Sequence, residues 1–182
     1  MDAIILCGGH GSRIARLWDR PKCLVPYKNS TVLEHLLLAA RNAGARRAVL
    51  LLAKGAESVL THLFNAPLHL PWIAIAERGP SGIDNALRLI EDVVVPPFLV
   101  LNGDTVPLYS LGVLNRVFSA ACYDGVYSGA CLIDADEWHR LLHDYEPLTS
   151  IIASMGKAEV CPFIDVGTPR GFLRALETIY ED

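Results

Sequence analysis

The sequence predicts a three-layer, Rossmann-like α/β fold in which helices cover both faces of one mostly parallel sheet. Two observations carry that prediction. Short apolar runs of strand length alternate with segments of helical period, the order expected of βαβ units. The first run, Ala3–Cys7, ends in a glycine-rich turn, and a later one, Phe98–Asn102, ends at Gly103-Asp104. Open α/β sheets place ligand groups at such carboxyl ends of strands. With 182 residues, 52% of them hydrophobic, the chain 1–182 is expected to form a single domain with a substantial core.

In chain order, Ala3–Cys7 reads as the first strand. Thr31-Val32-Leu33-Glu34 is a capping box opening a helix that runs to Ala43 and stops at Gly44. Arg47–Ala53 reads as a strand, Ala56–Asn65 as a helix and Trp72–Ala76 as a third strand. A Gly79-Pro80-Ser81-Gly82 loop leads into a helix over Ile83–Glu91. Phe98–Asn102 is the fourth strand, apolar until its last residue. Leu111–Ala121 is expected to be helical, Gly125–Ile133 a strand, and Asp136–Leu142 a helix. A short helix is expected within Tyr145–Met155 and a short strand over Glu159–Phe163. Pro169 suits the first turn of a last helix reaching Tyr180, with Thr168 as its cap. There is no internal repeat and no low-complexity tract.

Composition narrows the function classes. A net charge of −4 and a pI near 5.8 argue against nucleic acid as a partner. The five cysteines are scattered and contain no Cys-x-x-Cys pair, so neither a disulfide framework nor a zinc site is indicated. All but Cys23 adjoin apolar residues of expected core elements and read as buried small hydrophobes. Asp2 and the early glycines interrupt any leader-like apolar region. Val93–Leu101, the longest apolar stretch, contains Pro96 and Pro97 and is too short to span a bilayer. A cytoplasmic protein without membrane contact is expected. Trp18, Trp72 and Trp138 suit core packing and an oligomer interface equally, so a homo-oligomer stays open.

The chemistry concentrates in the first strand and its turn, Leu6-Cys7-Gly8-Gly9-His10-Gly11-Ser12-Arg13, followed by Arg20-Pro21-Lys22. Glycines let backbone N–H groups approach phosphate oxygens where a Cβ would intrude. Arg13 then adds a planar fork of donors and Lys22 a point charge. A dinucleotide fingerprint would need a third glycine near Ile14, and a Walker A loop would need Gly-Lys-Ser/Thr; neither is present. His139 and His143 share a helix face, but Arg-Leu-Leu lies between them, without the Glu of a zinc protease. A solvated helix face explains them better.

This pattern resembles the sugar-1-phosphate nucleotidyltransferase family, whose signature runs Gly-Gly-x-Gly-x-Arg, a variable stretch, then Pro-Lys. Gly8, Gly9, Gly11, Arg13, Pro21 and Lys22 stand at the matching positions. Asn102-Gly103-Asp104 resembles the family's first metal-binding step, and Ser128-Gly129 stands where it has a sugar-binding strand. Phe163-Ile164-Asp165-Val166-Gly167-Thr168-Pro169 resembles its Asp-x-Gly-Thr-Pro segment. The resemblance implies a sheet of the glycosyltransferase-A type. It also implies transfer of a nucleoside monophosphate from a nucleoside triphosphate to a sugar 1-phosphate, with release of pyrophosphate.

It further implies that Leu6, Gly8, Gly9, Gly11, Ser12, Arg13, Glu77, Pro80, Gly82 and Asp104 hold the nucleotide. Lys22, Ser128, Gly129 and Asp165 would hold the sugar phosphate. Arg13, Lys22 and Asp104 would be the catalytic residues. Because both reactants are anionic, a hard cation is the economical catalyst, and Asp104 and Asp165 are the pair expected to bind Mg²⁺. Glu77 could accept from guanine N1–H and N2–H₂, and the spacing around it most resembles heptose 1-phosphate guanylyltransferases, so GTP is favoured. A molybdopterin guanylyltransferase shares the chemistry, but Asp165-x-Gly-Thr-Pro fits the sugar-phosphate enzymes better.

The chain departs from the family in two places. The stretch between Arg13 and Pro21 carries Arg16-Leu17-Trp18 in place of a Pro-x-Thr element. The region between Asp104 and Ser128 is much shorter and has no lysine, since Lys157 is the only one after Lys54. The nucleotide half of the site is therefore complete and the acceptor half abbreviated. The alternative to an enzyme is a non-catalytic nucleotide-binding regulatory or partner subunit.

Overall fold

The computed structural model describes residues 1–9, 11–53, 55–66, 70–77, 82–115, 117, 119–160 and 162–180. The chain opens with β1 (Asp2–Leu6), followed by a two-strand ribbon of β2 (Pro26–Tyr27) and β3 (Ser30–Thr31). Then come α1 (Val32–Asn42), β4 (Arg47–Leu52), α2 (Ala56–Asn65), β5 (Trp72–Ala76), α3 (Ile83–Arg88) and β6 (Phe98–Asn102). The second half holds β7 (Thr105–Pro107), β8 (Ala120–Tyr123), β9 (Val126–Ile133), α4 (Ala135–Leu142) and α5 (Leu148–Ser154). It closes with β10 (Lys157–Glu159), β11 (Phe163–Asp165) and α6 (Pro169–Glu177).

Seven strands form one sheet in the order β10-β8-β9-β6-β1-β4-β5. β6, β1, β4 and β5 are mutually parallel, as are β8 and β10, while β9 runs antiparallel to both its neighbours. The parallel half follows from its sequence: both faces of each strand are covered, so the strands read as unbroken apolar runs. Alternate residues feed two cores. Ala3, Ile5, Leu50 and Leu99 face α1, α2 and α6, whereas Ile4, Val49, Leu51 and Val100 face α3, α4 and α5. That division is the three-layer architecture the alternation of elements predicts.

Local signals set most element ends. Thr31 and Glu34 form the expected reciprocal capping box at the start of α1. Thr168 caps α6 by accepting from the Gly171 N–H, with Pro169 in the first turn. The expected helix over Leu111–Ala121 is not formed. A single 3₁₀ turn covers Leu111–Val113, and Ala120–Tyr123 is strand β8. Asn115 Oδ1 accepts from the Val117 N–H at 2.8 Å, a local turn that competes with helical hydrogen bonding. Ala120 and Cys122 then pair with β9 on one side and β10 on the other. The expected strand over Glu159–Phe163 is instead two, β10 ending at Glu159 and β11 beginning at Phe163; Cys161 lies outside the described residues. Cys7, Cys122 and Cys131 are buried as expected, and so is Cys23. Trp138 is a core residue, edge-on to Phe98 with ring centroids 5.1 Å apart.

The sheet positions the site by bringing β1 and β6 together at their carboxyl ends. Their register pairs Leu6 with Asn102, and the Gly103 N–H donates to Leu6 O at 3.1 Å. A Cβ on Gly103 would stand 2.6 Å from Leu6 O and 3.2 Å from Cys7 Cα. Both are backbone atoms, so only a residue without a side chain lets Asp104 emerge directly beside the glycine turn. Gly103→Ala is expected to destabilise the fold by about 1–3 kcal/mol, the usual size of an overpacking penalty. Urea unfolding would read this as a lower midpoint; an unchanged midpoint would mean the strands part freely.

Candidate active site

A cavity of about 460 Å³ opens at the carboxyl ends of β1, β4 and β6. Leu6, Cys7, Gly8 and Gly9 line one wall, with Arg13, Lys22 and Cys23 beside them. Glu77, Gly82, Ile83 and Ala86 line the α3 side. Val126, Tyr127, Gly129 and Phe163 line the opposite side, and Gly103, Asp104, Thr105 and Asp165 lie at the base. A Cβ on Gly8 would stand 2.8 Å from Glu77 Oε1, so the bare backbone at that turn is what admits the Glu77 carboxylate.

The two aspartates lie far apart in sequence, and a small ribbon unites them. β7 follows Asp104, β11 ends at Asp165, and their antiparallel register pairs Thr105 with Asp165. The Val166 N–H donates to Asp104 O at 2.9 Å and holds the ribbon shut. Lys22 Nζ forms an ion pair with Asp104 Oδ2, both side chains being largely buried. Arg13 Nη1 stands 3.9 Å from Asp165 Oδ2, and the Gly167 N–H donates to Asp165 Oδ1 at 2.8 Å. A Cβ on Gly167 would meet Asp104 Oδ2 at 2.6 Å, Asp165 Oδ1 at 2.9 Å and Arg13 Nη2 at 3.0 Å. Two carboxylates and a guanidinium therefore converge on one point.

Burial and the Asp104 charge push the Asp165 carboxyl above its ordinary value, and the Gly167 N–H, Arg13 and Lys22 offset part of that rise. Such a pair fits a hard divalent cation, which neutralises both oxygens and takes its remaining ligands from phosphate and water. Among the described residues no group of three His, Cys, Asp or Glu could hold a metal ion. A cation here would depend on substrate oxygens to complete its shell. The Cys7 thiol is not part of this chemistry. A hydrogen bond to Cys23, burial and the nearby charges of Cys23 and Asp104 raise Cys7 well above the thiol range, so it stays protonated and fills space.

Of the residues singled out in the sequence, Leu6, Gly8, Gly9, Arg13, Lys22, Glu77, Gly82, Asp104, Gly129 and Asp165 all line the cavity. Gly11, with φ 66°, sits against the Lys22 stem just behind it. Ser12 is exposed at the start of a 3₁₀ turn and is not among the lining residues. Pro80 lies outside the described residues. Ser128 is placed differently from the expectation: it is buried, with its hydroxyl 2.6 Å from Tyr109 Oη and donating to Ala121 O at 3.0 Å. It ties β9 to β8, and only its neighbour Gly129 reaches the cavity. Gly129 does so at φ 81°, with Thr105 Cβ 3.0 Å from where its own Cβ would be. Thr105, Val126, Tyr127, Phe163 and Ile83 line the cavity without having been singled out. None of these side chains stands in a sequence motif that marks it as functional. His139 lies on α4 and His143 caps its C-terminus, their ring centroids 4.7 Å apart and both exposed, as expected of a solvated face.

A glycine turn, two cations and two converging carboxylates at the carboxyl edge of a mostly parallel sheet describe an α/β protein built to handle nucleoside phosphates. Residues 3–177 match the MobA-like NTP transferase domain, and the chain belongs to that family. It is 26% identical over 160 residues to the UTP–glucose-1-phosphate uridylyltransferase AglF of Haloferax volcanii, covering 84% of this chain and 64% of that one. It is 32% identical over 118 residues to mannose-1-phosphate guanylyltransferase 1 of Arabidopsis thaliana, covering 61% and 33% of the two chains. The chain thus spans less than two thirds of these relatives. HddC from Yersinia pseudotuberculosis superposes with a TM-score of 0.70 at 19% identity, covering 97% of this chain and 98% of its own. UDP-glucose pyrophosphorylase from Acinetobacter baumannii gives 0.73 at 15% identity, over 97% and 92%. The fold is the nucleotidyltransferase sheet of the glycosyltransferase-A type.

The raised Asp165 carboxyl has a signed consequence. The folded state holds the proton more tightly than the unfolded chain, so stability falls as pH rises from the ordinary aspartate value, about 3.9, through the higher folded one. Asp165→Asn keeps an oxygen to accept from Gly167 while removing the repulsion. Without ligand it is expected to be at least as stable as the wild type at pH 7, with a flatter stability curve above pH 4. Urea titrations across that range check this; a clear loss of stability at pH 7 would contradict it.

Proposed function

We propose that this chain transfers a nucleoside monophosphate from a nucleoside triphosphate to a sugar 1-phosphate, releasing pyrophosphate. The observation that carries the reading is the convergence of Arg13, Asp104 and Asp165 on one point beside the glycine turn, with Lys22 on Asp104. A phosphate oxygen of the sugar phosphate attacks the α-phosphorus and forms the new P–O bond. The bond from the α-phosphorus to the oxygen bridging it to the β-phosphorus breaks, and that oxygen leaves with pyrophosphate, carrying the electron pair. Both reactants are anionic, so alignment and charge neutralisation must supply most of the rate.

The chain's own residues divide that work. The Gly8, Gly9 and Gly11 N–H groups cradle the triphosphate, and Arg13, its side chain 60% exposed at the cavity mouth, neutralises the β- and γ-phosphates. Lys22 leaves Asp104 to bridge the α-phosphate and the incoming phosphate, a movement its flexible stem permits. Asp104 and Asp165 are the residues that would hold Mg²⁺, which when bound supplies Lewis-acid neutralisation of the α-phosphate. Glu77, at the end of β5 and on the cavity wall, favours GTP because guanine alone among the common bases offers it an N1–H and an N2–H₂ together. The relatives include uridylyl- and guanylyltransferases, so the base rests on Glu77 alone. Among the described residues no helix is long and apolar enough to cross a membrane, and the reading places the protein in the cytoplasm with its soluble substrates.

The test is pyrophosphate release from each of GTP, UTP, dTTP, CTP and ATP with Mg²⁺ and a panel of sugar 1-phosphates. Release that requires GTP and one acceptor is expected. Asp104→Asn should lower kcat by about 10²–10³-fold, the scale of a lost transition-state electrostatic contact, with unchanged circular dichroism. Nucleotide binding with no release from any pair would instead support the non-catalytic subunit.

A further inference from the structure

We propose that a groove beside the active-site cavity binds a second anionic group on the acceptor, remote from the phosphate that reacts, and that Arg170 and Arg174 hold it. The inference rests on the transferase reading and deepens it by naming the acceptor's class: a sugar phosphate that also bears a further phosphate or carboxylate. The groove, of about 570 Å³, runs along α6 and is lined by Phe163, Asp165, Arg170, Leu173, Arg174 and Glu177, among others. It adjoins the cavity, because Phe163 and Asp165 line both. A ligand seated at Asp165 can therefore extend over Phe163 into the groove.

Charge placement makes the second anion specific. Within the cavity Arg13 and Lys22 are the cations among the described lining residues, and the proposed reaction commits both to the triphosphate and the α-phosphate. The acceptor-side walls, Val126, Tyr127, Gly129 and Phe163, carry no charge at all. Arg170 and Arg174 stand four residues apart on α6, hence on one face, and both are exposed. Neither has a hydrogen-bond or ion-pair partner among the described residues. The Thr168 hydroxyl, also in the groove, is already committed, donating to Asp165 O at 2.9 Å and accepting from the Gly171 N–H at 3.1 Å. Of the two acidic residues there, Asp165 faces Gly167 N–H and Arg13, and Glu177 makes no ion pair with either arginine. Two unengaged guanidinium forks one helical turn apart suit phosphate or carboxylate oxygens.

The experiment follows the arginine side-chain Nε–Hε signals of the full chain by NMR, assigned with Arg170→Lys and Arg174→Lys. The titrants are glucose 1-phosphate, glucose 1,6-bisphosphate and glucuronic acid 1-phosphate, with inorganic sulfate as the plain anion. A doubly anionic titrant is expected to shift both signals and to bind about tenfold tighter than glucose 1-phosphate, the worth of one charge-assisted contact. The bisphosphate and glucuronate arms separate a phosphate from a carboxylate. In Arg170→Gln/Arg174→Gln that preference should vanish, while the melting temperature and the affinity for a non-hydrolysable GTP analogue stay unchanged. Signals unmoved by both doubly anionic sugars, an equal response to sulfate, or a preference that survives in the double variant would overturn the proposal. Failure of non-hydrolysable analogues of GTP, UTP, dTTP, CTP and ATP alike to bind, with the groove still responding, would count against the transferase reading alone.

Discussion

Two carboxylates held against each other are costly unless something is arranged to neutralise them, and much of this structure serves that arrangement. Asp104 and Asp165 are brought together by the β7–β11 ribbon, whose register leaves no freedom to separate them. Burial and mutual repulsion raise the Asp165 carboxyl, while Lys22, Arg13 and the Gly167 N–H only partly relieve it. A pair left in this condition suits the cation and phosphate oxygens of the proposed reaction. The structural cost is borne by the protein in advance, so the ligands meet groups already in place.

Small residues make that crowding possible. Gly103 lets β6 deliver Asp104 against the end of β1, Gly8 admits Glu77, and Gly167 leaves room for two carboxylates and a guanidinium. These glycines come from three distant parts of the chain, and each removes a Cβ at a point where two elements converge. The large apolar residues do the complementary work farther back, where Ile5, Leu50 and Leu99 anchor one layer and Ile4, Leu51 and Val100 the other. A rigid two-sided core fixes the strand ends, and the strand ends fix the polar groups.

The cavity wall opposite α3 is built more sparsely. β9 turns against the direction of its neighbours and presents Val126, Tyr127 and Gly129 to the cavity, with Phe163 from β11 facing them. This wall offers shape and apolar surface in place of charge. The positive charge nearest to it on α6 lies in the adjoining groove, past Phe163. In the proposed reaction, substrate choice would then turn on what a ligand carries beyond its reacting phosphate, as much as on the residues at the reacting centre.

The sequence by itself determined the parallel half of the fold, the glycine turn with Arg13 and Lys22, and both aspartates. Each is written in a local pattern: unbroken apolar runs, a capping box at Thr31 and Glu34, a proline after a capping threonine, and polar residues at abrupt strand ends. Tertiary structure alone decided the rest. Ala120–Tyr123 is apolar enough for either a helix or a strand, and only β9 and β10 on its two sides made it a strand. Ser128 and Gly129 are neighbours, yet one hydroxyl is taken by Tyr109 and Ala121 while the other residue faces the cavity. The junction of Asp104 with Asp165 depends on pairing between β7 and β11, segments distant in sequence. Such contacts arise from the packing of whole elements, for which a local pattern of residues holds no record.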